Sequence, residues 1–304
     1  HSLRTLIASI GEFAEPLPAA LCWAAAWDMC RDAEMAARDY LSLVLSGVRS
    51  VTDISSLQTI LRQTPAALRR YADPGWREAG LARFAETMRT LLVESDPGSD
   101  RQLAFAQAFA SVASSDDDLR LLSGLLDGSA TIDGLAVDTD LRWQLLHRLV
   151  SRGAAGEDAI DAEHDRDRTD AGERHALSCQ ASIPDPESKE AAWNQIVSGE
   201  LPNASFRAVL GGFSSADQDE LLAPFAPRFF DVVAGIWGDW STDMAQYFTE
   251  VGYPSTVVNQ VAIDAAADYL NRTNPPAPLH RLLSEGRDDV VRALRCRERD
   301  AQAG

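Results

Sequence analysis

The chain has 304 residues, of which 45% are hydrophobic, and a formal charge of −18 from 28 Lys and Arg against 46 Asp and Glu. That acidic balance argues against nucleic acid, which is gripped by clustered cations, and against an anionic membrane surface. The apolar fraction is too high for global disorder, and no apolar run approaches the roughly 18–20 residues of a membrane span.

From Leu3 to about Arg297 the pattern reads as one amphipathic helix after another, with little that reads as a strand. The first well-marked segment, Leu21–Cys30, is apolar nearly all round, which predicts a helix buried among others with Trp23, Trp27 and Cys30 on one face. Leu57, Ile60, Leu61, Ala66 and Leu68 keep a helical period from Ile54 to Tyr71, with Pro65 expected to kink or break it. A helix over Trp76–Val93 is expected to stop at Ser95–Asp100. Ser115 with Asp118 reads as a capped start ahead of Leu119, Leu121 and Leu122. The stretch 124–140 is the least helical and the best place for a seam. Asp140 is then expected to open Leu141–Ser151, whose stripe is Leu141, Leu145, Leu146 and Leu149.

Asp185-Pro186 is a cap followed by an N1 proline, ahead of Trp193 and Ile196. Asn203 is expected to cap a short helix that stops at Gly211-Gly212. Ser215 with Gln218 fits a capping box before Leu221–Trp237. A further helix ends at Gly252-Tyr253-Pro254, and 273–278 precedes the last one. Short turns between helices of about 10–20 residues make sequential neighbours antiparallel. The fold class is therefore all-α, a HEAT- or armadillo-like superhelix of antiparallel pairs without a fixed sequence period. Cys22 and Cys30 lie about 12 Å apart along one helix, too far for a disulfide, so reduced thiols in the cytoplasm are expected for all four cysteines.

The motifs of catalysis fail one by one. None of His1, His147, His164, His175 and His280 is followed by Glu, so H-E-x-x-H is absent, and Ile160 stands where H-x-x-E-H needs its first His. His175 and Cys179 share a helix face but lack the further ligands zinc requires. Asp116-Asp117-Asp118 resembles the start of a D-D-x-x-D site of a metal-dependent synthase, yet Leu119-Arg120 follow, and acid at a helix start is explained by the dipole alone. The mixed charge of 157–170 reads as a solvated face. The positive signal is Asp140–Val150. With its leucines facing the core, Arg142, Trp143 and Arg148 are the candidate peptide-binding residues, an aromatic among cations on an acidic protein. The competing reading packs Trp143 against a neighbouring helix and pairs the Arg residues with Asp.

Three stretches carry a resemblance: Pro16–Met29, Asp138–Val150, and Arg228–Val233 followed by Ile236-Trp237. Together they resemble the C-terminal helical domain of bacterial aminopeptidase N of the actinobacterial type, a zinc gluzincin aminopeptidase, across nearly the whole of 1–304. The resemblance implies a helical bowl over a thermolysin-like catalytic zinc domain of the same polypeptide, enclosing peptide substrates. It places the zinc motif upstream of residue 1, so no catalytic residue, metal ligand or cofactor is expected in this chain. The His1 start then reads as an internal cut. The alternative is a freestanding HEAT-like scaffold that binds a partner protein in its groove.

Overall fold

A computed structural model describes residues 2–13 and 15–303. Among the described residues every regular element is helical. The first half holds α1 (Ser2–Ser9), α2 (Pro16–Arg31), α3 (Ala37–Gly47), α4 (Ile54–Tyr71), α5 (Pro74–Glu94), α6 (Asp100–Val112), α7 (Asp116–Asp127) and α8 (Thr139–Ser151), with short 3-10 turns at Ile10–Glu12 and Val48–Ser50. Then come α9 (Glu157–Arg166), α10 (Asp170–Ser182), α11 (Pro186–Ser198), α12 (Asn203–Phe213), α13 (Asp219–Leu222), α14 (Phe225–Asp239), α15 (Thr242–Val251), α16 (Gln260–Thr273) and α17 (Ala277–Ala301). The chain divides into two compact units. One runs to Gln144 and resumes at Arg292; the other is Leu145–Val291.

Local chemistry sets many of these boundaries. Ser115 Oγ accepts from the Asp118 amide at 3.2 Å, and Asp185 Oδ1 accepts from Glu187 and Ser188, both as expected of side-chain caps. Gly128 closes α7 at φ +83°, a conformation that costs glycine nothing. Other boundaries differ from expectation. Asp138, not Asp140, starts α8, its Oδ1 accepting from the Leu141 amide at 2.9 Å. Asn203 is the first helical residue of α12 rather than its cap, and Pro202 precedes it.

Pro65 neither ends nor splits α4. It removes one rung of the ladder, but Leu57, Ile60, Leu61, Ala67 and Leu68 on both sides of it are buried together, and that packing outweighs one missing bond. The box expected at Ser215 and Gln218 does not form. Ser215 Oγ donates back to Gly212 O, Gln218 reaches elsewhere, and the expected single helix is divided at Ala223-Pro224 into α13 and α14. α12 ends at Phe213, one residue past Gly211-Gly212, so the expected stop holds to within a residue, but the glycines are needed for another reason. A Cβ at Gly212 would lie 2.0 Å from Ser178 O, so glycine is there because α10 and α12 touch backbone to backbone.

In the first unit α3, α4 and α6 pack around Tyr40, Leu41, Leu57, Leu68, Phe105 and Phe109. The end of α17 closes this unit electrostatically. Cys296 Sγ lies 3.4 and 3.3 Å from the carbonyls of Cys30 and Arg31 at the end of α2, and Arg297 donates to Arg70 O, near the end of α4, at 3.0 Å. Asp300, fully buried, accepts from the amides of Arg38 at 2.8 Å and Asp73 at 2.9 Å, where α3 and α5 begin. Donors thus meet helix C-termini and a carboxylate meets helix N-termini, the pairing that orphan backbone groups and the helix dipole favour.

The second unit is built on aromatic packing. Trp193 sits 5.4 Å from Phe225 and 5.7 Å from Phe213 between ring centroids, and Phe229 stacks on Phe248 at 5.3 Å. Helices α9 to α12 pack neighbour on neighbour, α10 also packs on α12, and one apolar cluster runs from Ala181 through Trp193, Phe229 and Phe248 to Val290.

Candidate functional site

α8 is buried around most of its circumference, not along the single leucine stripe alone: Trp143, Arg148 and Val150 are buried along with Leu141, Leu145, Leu146 and Leu149. Trp143 is 1% exposed and ranks among the largest fully buried side chains. Arg148 is buried and pairs with Asp217 Oδ2 at 3.0 Å. Arg142, half-buried, donates from Nη1 to Leu126 O at 2.7 Å. The three expected peptide contacts are therefore adjacent in sequence but engaged separately: an indole in the interior, an internal ion pair, and a cation on a helix end. Of the three, Arg142 keeps the most solvent access.

Around Arg148 the structure assembles a polar cluster from distant positions of the second unit. Lys189, fully buried near the start of α11, donates to Ala181 O at 2.7 Å and to Phe213 O at 3.2 Å. Gln218 Nε2 donates to Ser151 O at 2.9 Å and to Ser182 O at 2.8 Å. These acceptors close α8, α10 and α12, so one ammonium and one amide satisfy the carbonyl ends of three helices. Beside them stands the Arg148–Asp217 pair, with Asp217 at φ +68°.

Burial raises the cost of charge here. Desolvation pushes Lys189 down to about 8, against a smaller opposing pull from Asp185. His147 falls to about 4, chiefly by burial and further by the nearby Lys189, Arg148 and His175. Since the unfolded chain takes up the His147 proton near pH 6.5 and the folded one does not, stability is present above that pH and lost as pH falls toward 4. The gap is worth about 3 kcal/mol. Urea unfolding between pH 7 and 4.5 should show this loss, and His147→Phe should flatten the slope. An unchanged slope in that variant would remove His147 as its source.

Among the described residues no group of three or more His, Cys, Asp or Glu side chains could hold a metal ion. Burial pushes the Cys179 thiol up to about 12, which keeps it protonated beside His175. Asp118 donates its amide to the capping Ser115 Oγ and its carboxylate lies 3.3 Å from Arg89, while Asp117 pairs with Arg120, so two of the three aspartates are engaged by cations of this chain. Among the described residues the side chains present do not suit a resident zinc ion.

Sequence reasoning missed Lys189, Asp217 and Asp300, and gave Gln218 a capping role in place of its bonds to Ser151 O and Ser182 O. A Lys one turn into an acid-rich helix start carries no mark of burial. Asp217 is 69 residues from Arg148, and Asp300 is 262 from Arg38.

Comparison with known proteins gives these helices relatives. Residues 1–292 match the family model of the ERAP1-like C-terminal domain. Over all 304 residues the chain is 46% identical to a protein of Streptomyces lividans described as aminopeptidase N, and it spans 36% of that protein's length, the C-terminal part.

Proposed function

The chain belongs to the family of ERAP1-like C-terminal domains, and from that premise we propose that it serves as the non-catalytic C-terminal part of a zinc aminopeptidase. The whole of 1–304 acts as that part, arranged as a HEAT-like array in the cytoplasm. Its partner is the catalytic zinc domain of the same polypeptide, and it accommodates the peptides that domain trims. The single observation that carries this reading is the 46% identity extending along all 304 residues to one third of an aminopeptidase N. Among the described residues no helix is long and apolar enough to cross a membrane. For peptide contact Arg142 is the member of the expected trio we retain, because Trp143 and Arg148 are spent on the interior.

The test is direct. The purified chain should release no amino acid from aminoacyl reporters, with or without added zinc. Zinc-dependent turnover by the chain itself would overturn the reading. An in-frame coding sequence upstream that contains H-E-x-x-H would support it over a freestanding scaffold.

A further inference from the structure

Residues 16–27 of α2 contain no charged side chain, whereas the solvent face of a helix ordinarily carries charge. The sequence therefore predicts burial on all sides, and the structure provides it on one. Trp23, Ala26 and Cys30 face the interior, but Leu17 is 71% and Leu21 63% exposed, and Phe13, in the extended segment before the helix, is 41% exposed. Ala24 and Ala25 extend the same open surface. Beside it lies a pocket lined by the apolar Ile10, Phe13 and Trp23 together with the polar Asp53 and Ser56. Phe13 belongs to both. Single exposed leucines need no explanation; an uncharged face running over two turns into a pocket marks an interaction surface.

We propose that this face and pocket of the first unit seat the part of the same polypeptide that precedes this chain in the longer protein, an inference that rests on the reading above. The matched region is the C-terminal 36% of the Streptomyces lividans relative, so most of that protein lies before it. A covalently tethered partner docks at high effective concentration, and a patch of this modest size then suffices. Exposed Glu12, Glu15 and Asp28 border the face. The complementary surface is accordingly an apolar ridge with an anchoring side chain for the pocket and cations at its rim.

Leu17→Cys and Leu21→Cys, each in a Cys22→Ser background, report on this surface through their rates of maleimide labelling; the other three cysteines are buried. Ala162→Cys, on the exposed side of α9, serves as control. Labelling at 17 and 21 should be at least tenfold slower in the full-length polypeptide than in the 304-residue chain, with position 162 unchanged. Equal rates in the two would overturn the proposal. So would protection that appears in the 304-residue chain alone as its concentration rises, which would assign the face to a second copy. Aminopeptidase turnover, read on the same full-length sample, separates the two inferences. Protection without turnover sinks the enzymatic reading and leaves the docking; turnover with fast labelling sinks the docking alone.

Discussion

Trp143→Ala is expected to lower the unfolding free energy by about 3–5 kcal/mol, the range for emptying a fully buried Trp site. The side chain is 1% exposed and lies on a helix with little open surface to which the cavity could be surrendered. Trp143→Phe should lose only part of this, since a ring still fills most of the space. Urea unfolding monitored by circular dichroism decides the matter. If the Ala variant keeps its midpoint, the indole is not a packing element and a role in binding regains its footing. The distinction matters because tryptophan is enriched both in cores and at binding hot spots. Composition alone cannot separate these roles.

Asp300→Ala should cost a comparable amount, about 3–5 kcal/mol, by a different route. The carboxylate is fully buried, accepts two backbone amides at the starts of α3 and α5, and lies 3.4 Å from Arg38 Nε. Removing it takes the acceptor from two helix starts and leaves the guanidinium its 3.9 Å contact with Asp73 and its place over the Trp76 ring. Asp300→Asn keeps the shape but not the charge, and its amide must turn one donor toward an amide donor. An intermediate loss is expected. If Asp300→Ala unfolds at the parental urea midpoint, the end of α17 is an ornament on the first unit and not its closure.

The two variants mark where sequence reasoning reached and where it stopped. Helix content and many helix starts were legible, because period and capping are encoded within three or four residues: Ser115 to Asp118 and Asp185 to Ser188 are examples. The three tryptophan-bearing stretches were distinctive enough to resemble a family, and the match over residues 1–292 bears that resemblance out. Gly211-Gly212 shows how a local signal can place a helix end and still miss the role of the residues. Its composition reads as a stop, while its use is the contact of α12 with Ser178. The Ser215 and Gln218 pair failed for a related reason: Gln218 satisfies the ends of α8 and α10, two acceptors that a four-residue window cannot contain.

The sequence by itself determined an all-helical chain, acidic and without a local catalytic motif, and the family it resembles. Those properties follow from backbone periodicity and from residue types alone. Only the tertiary structure decided that Trp143 points inward, that Arg148 is matched by Asp217 across 69 residues, that Asp300 closes helices 262 and 227 residues upstream, and that α2 keeps an apolar face uncovered. A helix has several faces and its sequence marks which are apolar. Which of them finds a neighbour depends on where other helices come to lie, and that is settled by packing between positions far apart in the chain.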